Sequence, residues 1–178
     1  GGYYSDGTRP YHNFLYSKGT FTTLDVPGAA YIRATSINDS GQVTGTYCNS
    51  IVASGAYEDC HGFVYSNGTF TSLDVPGATK TYARSINASG QVTGGYSDGT
   101  FQNSHGFLYS KGTFTILDVP GATYGTYPAS LNASGQVTGT YCKAALSEIE
   151  TTDCPGFVYR DGTFTTLDIP HAMRISPT

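Results

Sequence analysis

Two kinds of titratable side chain recur at fixed places along the chain and could carry chemistry. Histidine opens a short apolar segment in "HNFLY", "HGFVY" and "HGFLY", at His12, His61 and His105. Aspartate recurs in the motif LD[VI]P, at Asp25, Asp74, Asp118 and Asp168. Four carboxylates near a common axis could bind a cation or a sugar hydroxyl. Each could instead cap the Pro-Gly turn that follows it, and this structural role is the one we expect.

The histidines do not complete a metal site in the sequence. Three imidazoles could converge on a metal ion, but the fourth copy of the segment begins with Pro155 and no further ligands accompany it. We therefore predict no metal and no cofactor, and expect these histidines to hydrogen-bond a neighbouring blade of the fold described below. The chain also lacks a nucleophile elbow, a zinc-binding helix pair and a phosphate loop, so no catalytic residue is predicted.

Aromatic and amide side chains offer two further kinds of candidate site. Tyr47, Tyr96 and Tyr141 end the same segment of three repeats, and their flat amphipathic rings suit stacking on sugars or contact with a protein, while other rings must fill the core. Glycosylation sequons lie at Asn38, Asn67, Asn87 and Asn132. Because all four sequons fall in Asn-rich turns, turn chemistry explains them without a glycan.

An internal repeat must position these residues. Its four copies are "HNFLYSKGTFTTLDVPGA", "HGFVYSNGTFTSLDVPGA", "HGFLYSKGTFTILDVPGA" and "PGFVYRDGTFTTLDIPHA", which follow one another at spacings of 49, 44 and 50 residues. Units of about 40 to 50 residues are typical of propeller blades. Each unit holds four short β-type segments separated by turn residues. The thrice-repeated "SINDSGQVTG", "SINASGQVTG" and "SLNASGQVTG" predicts one hairpin turn between the third and fourth segments.

These segments predict an all-β fold in a single repeat domain over residues 1–178. Specifically, we expect a four-bladed β-propeller of four-stranded antiparallel meanders, with blades at 12–47, 61–96, 105–141 and 155–178. The start of the chain, "GGYYSDGT", matches the fourth segment and exit loop "GGYSDGT" at residues 94–100, whereas the last unit lacks a fourth segment. We therefore expect residues 1–5 to complete the last blade, either in their own chain or in a neighbour.

Composition excludes some partners. Charged residues make up 12% of the chain, with nine Lys and Arg against 13 Asp and Glu and a formal net charge of -4. No basic stripe is present, so we expect no nucleic-acid partner. No apolar run is long enough to cross a bilayer, so membrane insertion is not expected either.

The cysteines indicate the compartment. Cys48 and Cys60 are 12 residues apart, as are Cys142 and Cys154, and both pairs occupy the same place in their repeats. This spacing fits two local disulfides better than a zinc site. We therefore expect a secreted, processed, extracellular protein.

The motif "HGF[LV]Y-x-x-GTFT-x-LDVPGA … INASGQVTG-x-Y" resembles the bacterial extracellular repeats known as HAF-type repeats, over nearly the whole chain. That resemblance implies secretion and a propeller-like fold, and it carries no set of catalytic residues. The chain departs from the motif at Pro155, Asn13 and His171.

Three functions fit these patterns. The first is a non-enzymatic structural or interaction module, within a repetitive extracellular assembly or fibre whose partners are copies of the chain itself. The second is a lectin-like propeller that binds extracellular glycans. The third is a polysaccharide-acting enzyme, which ranks last because catalysis needs an asymmetric group of residues and this sequence is nearly symmetric.

Overall fold

The computed structural model describes residues 2–4, 12–100, 104–143 and 154–167, and the regular structure within them is entirely β-strand. The all-β class predicted from the sequence is therefore confirmed. In chain order the strands are β1 (Gly2–Tyr4), β2 (His12–Ser17), β3 (Thr20–Leu24), β4 (Tyr31–Ile37), β5 (Val43–Ile51), β6 (Tyr57–Ser66), β7 (Thr69–Leu73), β8 (Lys80–Ile86), β9 (Val92–Ser97), β10 (Ser104–Ser110), β11 (Thr113–Leu117), β12 (Gly125–Leu131), β13 (Val137–Cys142), β14 (Gly156–Arg160) and β15 (Thr163–Leu167).

Hydrogen bonding groups these strands into three sheets. The first has the order β1-β2-β3 and the second the order β4-β5-β6-β7. The third has eight strands and contains two antiparallel groups, β8 to β11 and β12 to β15, joined by one parallel bridge between Ser104 and Gly125. We call the four groups strand sets 1 to 4. The described residues thus form three sheets and not the closed four-bladed propeller that the repeat predicts.

Each complete strand set combines segments from two successive repeats. In set 2, β4 and β5 are the third and fourth segments of one repeat, whereas β6 and β7 are the first and second segments of the next. The predicted ranges 12–47, 61–96 and 105–141 start each blade at the first segment instead. The difference arises at the Pro-Gly turn after the second segment, where Gly28 and Gly77 have a φ of +83° and the chain leaves its sheet.

The N-terminal strand corrects a second expectation. Strand β1 pairs antiparallel with β2, with Tyr4 opposite His12, so residues 2–4 join the first repeat and not the last blade. The physical reason is the one seen in the other sets, because a fourth segment pairs with the first segment that follows it. Set 4 already contains four described strands without this tail.

Three apolar clusters hold successive strand sets side by side. Each contains a phenylalanine of a first segment, Phe63, Phe107 or Phe157, and all three side chains are fully buried. Each cluster also contains the leucine that ends the preceding set, which is Leu24, Leu73 or Leu117 respectively. Burying one such side chain stabilises a fold by roughly 1.5 to 3 kcal/mol. The clusters therefore join set 1 to set 2, set 2 to set 3, and set 3 to set 4.

The repeated "IN-x-SGQ" sequence forms the predicted hairpin turn and also links neighbouring sets. In each copy the Asn Oδ1 accepts hydrogen bonds from two backbone N–H groups of the turn at 2.9–3.1 Å. The same amide reaches the next set: Asn38 Nδ2 donates to the Asn87 carbonyl oxygen at 2.9 Å, and Asn87 Nδ2 donates to that of Asn132 at 3.0 Å. The turn is repeated because it fastens one set to the next.

Set 1 is fastened to set 2 in a different way. Asn13 stands where the other repeats have glycine, and its Nδ2 donates to the Ile32 carbonyl oxygen at 2.8 Å. Its Oδ1 accepts a hydrogen bond from the Ala34 N–H at 3.0 Å. This departure from the motif therefore ties β2 to β4 across the boundary between the sets.

Candidate functional site

The histidines and aspartates, considered separately in the sequence, lie together in three equivalent clusters. In each, a carboxylate oxygen lies within hydrogen-bond distance of an imidazole Nδ1. The pairs are His12–Asp25 (2.7 Å), His61–Asp74 (3.0 Å) and His105–Asp118 (2.9 Å). The histidine lies on the outgoing strand of a hairpin and the aspartate follows the returning strand, so the hairpin itself brings them together. These carboxylate partners therefore lie in the same strand set as the histidine, and not in a neighbouring blade as expected for the histidines.

A tyrosine covers each of these imidazoles. The last tyrosine of the fourth segment lies directly opposite the histidine in the strand register, and the ring centroids are 4.9 to 5.0 Å apart. The stacked pairs are Tyr4–His12, Tyr47–His61 and Tyr96–His105. In set 2 the tyrosine also extends across the sheet, where its hydroxyl lies 2.7 Å from the Ser72 Oγ. We call these arrangements the Tyr-His-Asp clusters.

A second carboxylate approaches the other imidazole nitrogen in two clusters. The Oδ1 of Asp59 lies 3.1 Å from the Nε2 of His61, and the Oδ2 of Asp98 lies 3.7 Å from that of His105. A hydrogen bond from Asn49 is the main cause that lowers the pKa of Asp59, and the hydroxyl of Thr100 does the same for Asp98. In a nucleophilic dyad a hydroxyl or thiol lies beside the imidazole, whereas in these two clusters the second group beside the imidazole is a carboxylate. They are suited to binding and to holding loops, and not to acyl transfer.

Burial keeps the tyrosine of set 3 in its neutral form. The partial burial of Tyr96 raises the pKa of its phenol, and the carboxylates of Asp118 and Asp98 raise it further. A neutral phenol ring therefore stacks on the imidazole of His105.

No known protein family, curated protein or solved structure matches this chain. The role of the clusters thus rests on their geometry. Within the described ranges, no three His, Cys, Asp or Glu side chains are arranged to hold a metal ion. Asp25, Asp74 and Asp118 each pair with their own histidine, whereas Asp168 lies outside the described residues. The same ranges contain no helix long and apolar enough to cross a bilayer.

Set 4 does not present the predicted tyrosine on its surface. Tyr141 is 4% exposed and belongs to the apolar cluster between sets 3 and 4, so the expectation of a surface stacking site there is wrong. Pro155 occupies the position of the histidines on which Tyr47 and Tyr96 stack, and its carbonyl oxygen accepts a hydrogen bond from the Tyr141 N–H at 3.1 Å. Tyr47 and Tyr96 remain half-buried, each with one face against an imidazole.

Both predicted disulfides are present. Cys48 bonds to Cys60 and Cys142 bonds to Cys154. The first joins directly opposite residues of β5 and β6, with a Cα–Cα distance of 4.0 Å, and closes the hairpin that carries Asp59. The first disulfide therefore holds the hairpin next to the His61 cluster in place.

The four sequons differ in how far they expose the amide that would carry a glycan. Asn67 is exposed in a tight turn with a φ of 49°, whereas Asn87 is 5% exposed. The Nδ2 atoms of Asn38 and Asn87 donate to neighbouring sets, and that of Asn132 donates to Gln136 at 2.6 Å. The turn interpretation therefore accounts for Asn38, Asn87 and Asn132.

A cleft that the sequence did not predict lies between the first strands of sets 2, 3 and 4. Its volume is about 550 Å³, and its walls include Tyr31, Arg33, Tyr57, Tyr82 and Arg84. Both arginines are exposed, on β4 and β8 respectively. The signal that could have identified them is their departure from the repeat, because the equivalent positions of the other repeats carry different residues.

Proposed function

We propose that the chain is a secreted, non-enzymatic interaction module whose four strand sets form a propeller and which assembles by exchanging one strand between copies. Its two disulfides and its resemblance to HAF-type repeats favour the extracellular space. The similarity of the three Tyr-His-Asp clusters favours a scaffold over an enzyme, since catalysis needs one asymmetric group of residues.

The observation that carries the proposal is the strand composition of set 1. Among the described residues, sets 2, 3 and 4 each begin with a third-segment strand, whereas set 1 consists of β1, β2 and β3. A cleft of about 300 Å³ lies there, and Gly2, Tyr3, Phe14, Ser36 and Ile37 are among the residues that line it. A third-segment strand in set 1 would pair with β1 on the side opposite β2.

Three apolar side chains, in sets 1, 2 and 4, are more exposed than their equivalents elsewhere. Ile37 is 48% exposed, whereas Ile86 at the same place in the next repeat is 5% exposed. Leu167, at the end of set 4, is 41% exposed, whereas Leu117 is fully buried. Phe21 is 67% exposed. These residues would be covered if set 1 were completed and packed against set 4.

The sequence after β15 has the residue types of a third-segment strand such as β4 or β12. Aligned on the motif LD[VI]P, Ile175 corresponds to Ile32 of β4, Pro177 to Pro128 of β12, and Thr178 to Thr35 of β4. Residues 168–178 lie outside the described ranges, so this strand is part of the proposal. In set 3 Tyr82 lies opposite Gly95, and the equivalent register in set 1 places residue 176 opposite residue 3.

The origin of this strand determines the function. If residues 174–178 insert into set 1 of their own chain, the product is a closed monomer. If they insert into set 1 of a second copy, each chain extends an assembly through main-chain hydrogen bonds. We propose the second arrangement, with the chain's own kind as its partner.

A cysteine cross-link tests both the strand and its origin. In Tyr3→Cys/Ser176→Cys we expect a disulfide that joins two or more chains, seen on a non-reducing gel. The matched positive control is Tyr82→Cys/Gly95→Cys, an opposite pair within set 3 that should link inside one chain. The negative control is Tyr3→Cys/Arg174→Cys, which moves one cysteine two residues along the strand, about 7 Å out of register.

Each outcome of this experiment is decisive. A cross-link between chains supports the assembly role. A cross-link within one chain means a closed monomer and overturns the exchange. The absence of any cross-link, while the positive control forms, overturns the assignment of residues 174–178 to this strand.

Glycan binding is the second candidate function. It is favoured by the cleft between β4 and β8, which combines tyrosine rings, threonine hydroxyls and two arginines. Tyrosine rings suit the apolar faces of sugars, while hydroxyl and guanidinium groups suit their polar edges.

A further inference from the structure

We infer that the cleft between β4 and β8, which we call the arginine cleft, binds an oligosaccharide that contains carboxylated sugars. The inference rests on the proposed function in one respect, namely that the chain binds its partners and does not transform them. It names a ligand class that the proposal of strand exchange does not require.

The charge of the cleft is opposite to that of the chain. The chain has a formal net charge of -4, but Arg33 and Arg84 line the cleft and no Asp or Glu is among its described lining residues. Within the described part of the chain, neither guanidinium makes an ion pair or a hydrogen bond to a side chain. Glu58, on the nearby hairpin, is already paired with Lys80 at 2.8 Å. The two cations are therefore available to an anionic ligand.

The fold does not require either arginine. The position of Arg33 is occupied by Tyr82 and Tyr127 in the next two repeats, and the position of Arg84 by Thr35 and Ala129. All three strands nevertheless pair in the same way, with a bulge at the same place in each. Strand pairing and the bulge therefore do not depend on an arginine at either position.

A bulge helps to direct Arg84 into the cleft. Strand β8 has its register shift between Ala83 and Ser85, which makes Arg84 the extra residue of the bulge. A bulge bends a strand and changes the direction of its side chain, and such features are common next to binding sites. Arg33 lies on β4 of set 2, in a regular pair with Thr46.

Aromatic rings complete the recognition surface. The rings of Tyr31 and Tyr57 lie 4.2 Å apart, and Tyr57 is 37% exposed. Tyr57 belongs to the hairpin that the disulfide between Cys48 and Cys60 closes, and both sulfur-bearing residues line the cleft. The disulfide therefore fixes the position of a ring that can stack on a sugar.

This combination selects the ligand class. A guanidinium binds a carboxylate through two parallel hydrogen bonds, which gives affinity and orientation together. The flat phenol rings of Tyr31, Tyr57 and Tyr82 suit the face of a pyranose ring. A sugar that carries a carboxylate uses both kinds of contact, whereas a small inorganic anion uses the arginines alone.

Calorimetric titration with a defined oligomer of galacturonic acid tests the inference. We expect saturable binding that is at least tenfold weaker for the fully methyl-esterified oligomer, which keeps the sugar rings but removes their charge. Arg33→Gln and Arg84→Gln should each weaken binding about tenfold, since a lost charge-assisted hydrogen bond has an effect of this order. The matched control is Arg160→Gln, because Arg160 lies at an exposed hairpin outside the cleft.

The disulfide provides a second readout. Cys48→Ala/Cys60→Ala should weaken binding of the acidic oligomer, whereas Cys142→Ala/Cys154→Ala should not, because the second disulfide does not line the cleft. Circular dichroism of each variant identifies any loss of fold.

The results that would overturn the inference are specific. Equal binding of the acid and the ester, or equal losses in Arg33→Gln and Arg160→Gln, would remove the cleft as the site. Equally tight binding of inorganic phosphate would show a general anion site and overturn the choice of a sugar. Release of new reducing ends would overturn the non-enzymatic module while leaving the cleft intact, so the two proposals fail separately.

Discussion

The turn amide of Asn87 offers the most direct test of how the strand sets are held together. In Asn87→Ala the protein loses the amide that donates to Gln91 Oε1 at 2.7 Å and to the Asn132 carbonyl oxygen at 3.0 Å. It also loses the Oδ1 that accepts from the N–H groups of Ser89 and Gln91. Asn132→Ala is a natural control, because Asn132 makes the same contacts within its turn but its side chain has no described partner in another set.

The expected magnitudes follow from these contacts. Each net hydrogen bond contributes about 1 kcal/mol, and a partner left buried and unpaired costs more. Asn87→Ala should therefore lower the free energy of unfolding by roughly 3 to 4 kcal/mol, since Asn87 is buried. Asn132 is exposed and water replaces its lost bonds, so Asn132→Ala should cost roughly 2 kcal/mol. For a chain of this size the difference of roughly 1 to 2 kcal/mol corresponds to about 2 to 8 °C in Tm.

Equilibrium urea unfolding measures this difference. The chain has 15 tyrosines and no tryptophan, so tyrosine fluorescence together with circular dichroism follows the transition. The two variants should shift the midpoint by different amounts without changing the slope. If Asn132→Ala proves as destabilising as Asn87→Ala, the bond between the sets contributes no stability and the role assigned to the repeated turn is refuted.

Three further predictions concern close packing, the disulfides and a surface carboxylate. Gly94→Ala should lower the free energy of unfolding by about 3 kcal/mol, because the added methyl group would overlap the backbone of the adjacent strand. Gly95→Ala is the control: its methyl group would meet a backbone oxygen at 3.3 Å, so it should lower the free energy of unfolding clearly less in the same urea assay. Reduction of the disulfides should lower stability by roughly 3 kcal/mol for each 12-residue loop, measured by Tm with and without reductant; an unchanged Tm would contradict this. Asn49→Ala should raise the pKa of Asp59 towards its ordinary value, as measured by NMR titration. Because the pKa of Asp59 is lower in the folded than in the unfolded state, the ionised carboxylate stabilises the fold at a pH above the ordinary pKa, and this effect is lost as the pH falls through the folded-state pKa. An unchanged titration of Asp59 would mean that its hydrogen bond to Asn49 has no effect.

Local features of the fold could be predicted because short sequences determine them. The tight turns follow from glycine, since Gly68 and Gly112 adopt φ of +84° and +86° after residues that also have positive φ. The disulfides follow from their equal spacing and shared place in the repeat. Both kinds of prediction depend on residues that are close in the chain, and both are confirmed.

The grouping of strands could not be predicted in the same way. A repeat of four segments has the same alternation of apolar and polar residues whichever segment is counted as the first strand of a sheet. What decides the grouping is the point at which the chain leaves one sheet, and only the pairing of β5 with β6 across the repeat boundary reveals it. The expectation that residues 1–5 complete the last blade is wrong for the same reason, because it also counts the first segment as the start of a sheet.

The candidate site shows a similar division. His61 and Asp74 are 13 residues apart, as are their equivalents, and this constant spacing across a hairpin could have predicted their contact. The arginines depart from the repeat, but the sequence does not show that Arg33 and Arg84 line one cleft, because they lie in two different strand sets. Contacts between sets depend on the arrangement of whole sheets, which a repeat motif does not specify.

The division of each repeat between two sheets has a consequence for how the chain can be cut. A protease that cleaves at Pro76–Gly77 separates two complete sheets and leaves every strand ladder whole, whereas cleavage within the "IN-x-SGQ" turn separates two paired strands. The natural fragments of this molecule therefore begin and end in the middle of its repeats. Any gene duplication that copied whole sheets would have had its ends at those Pro-Gly turns.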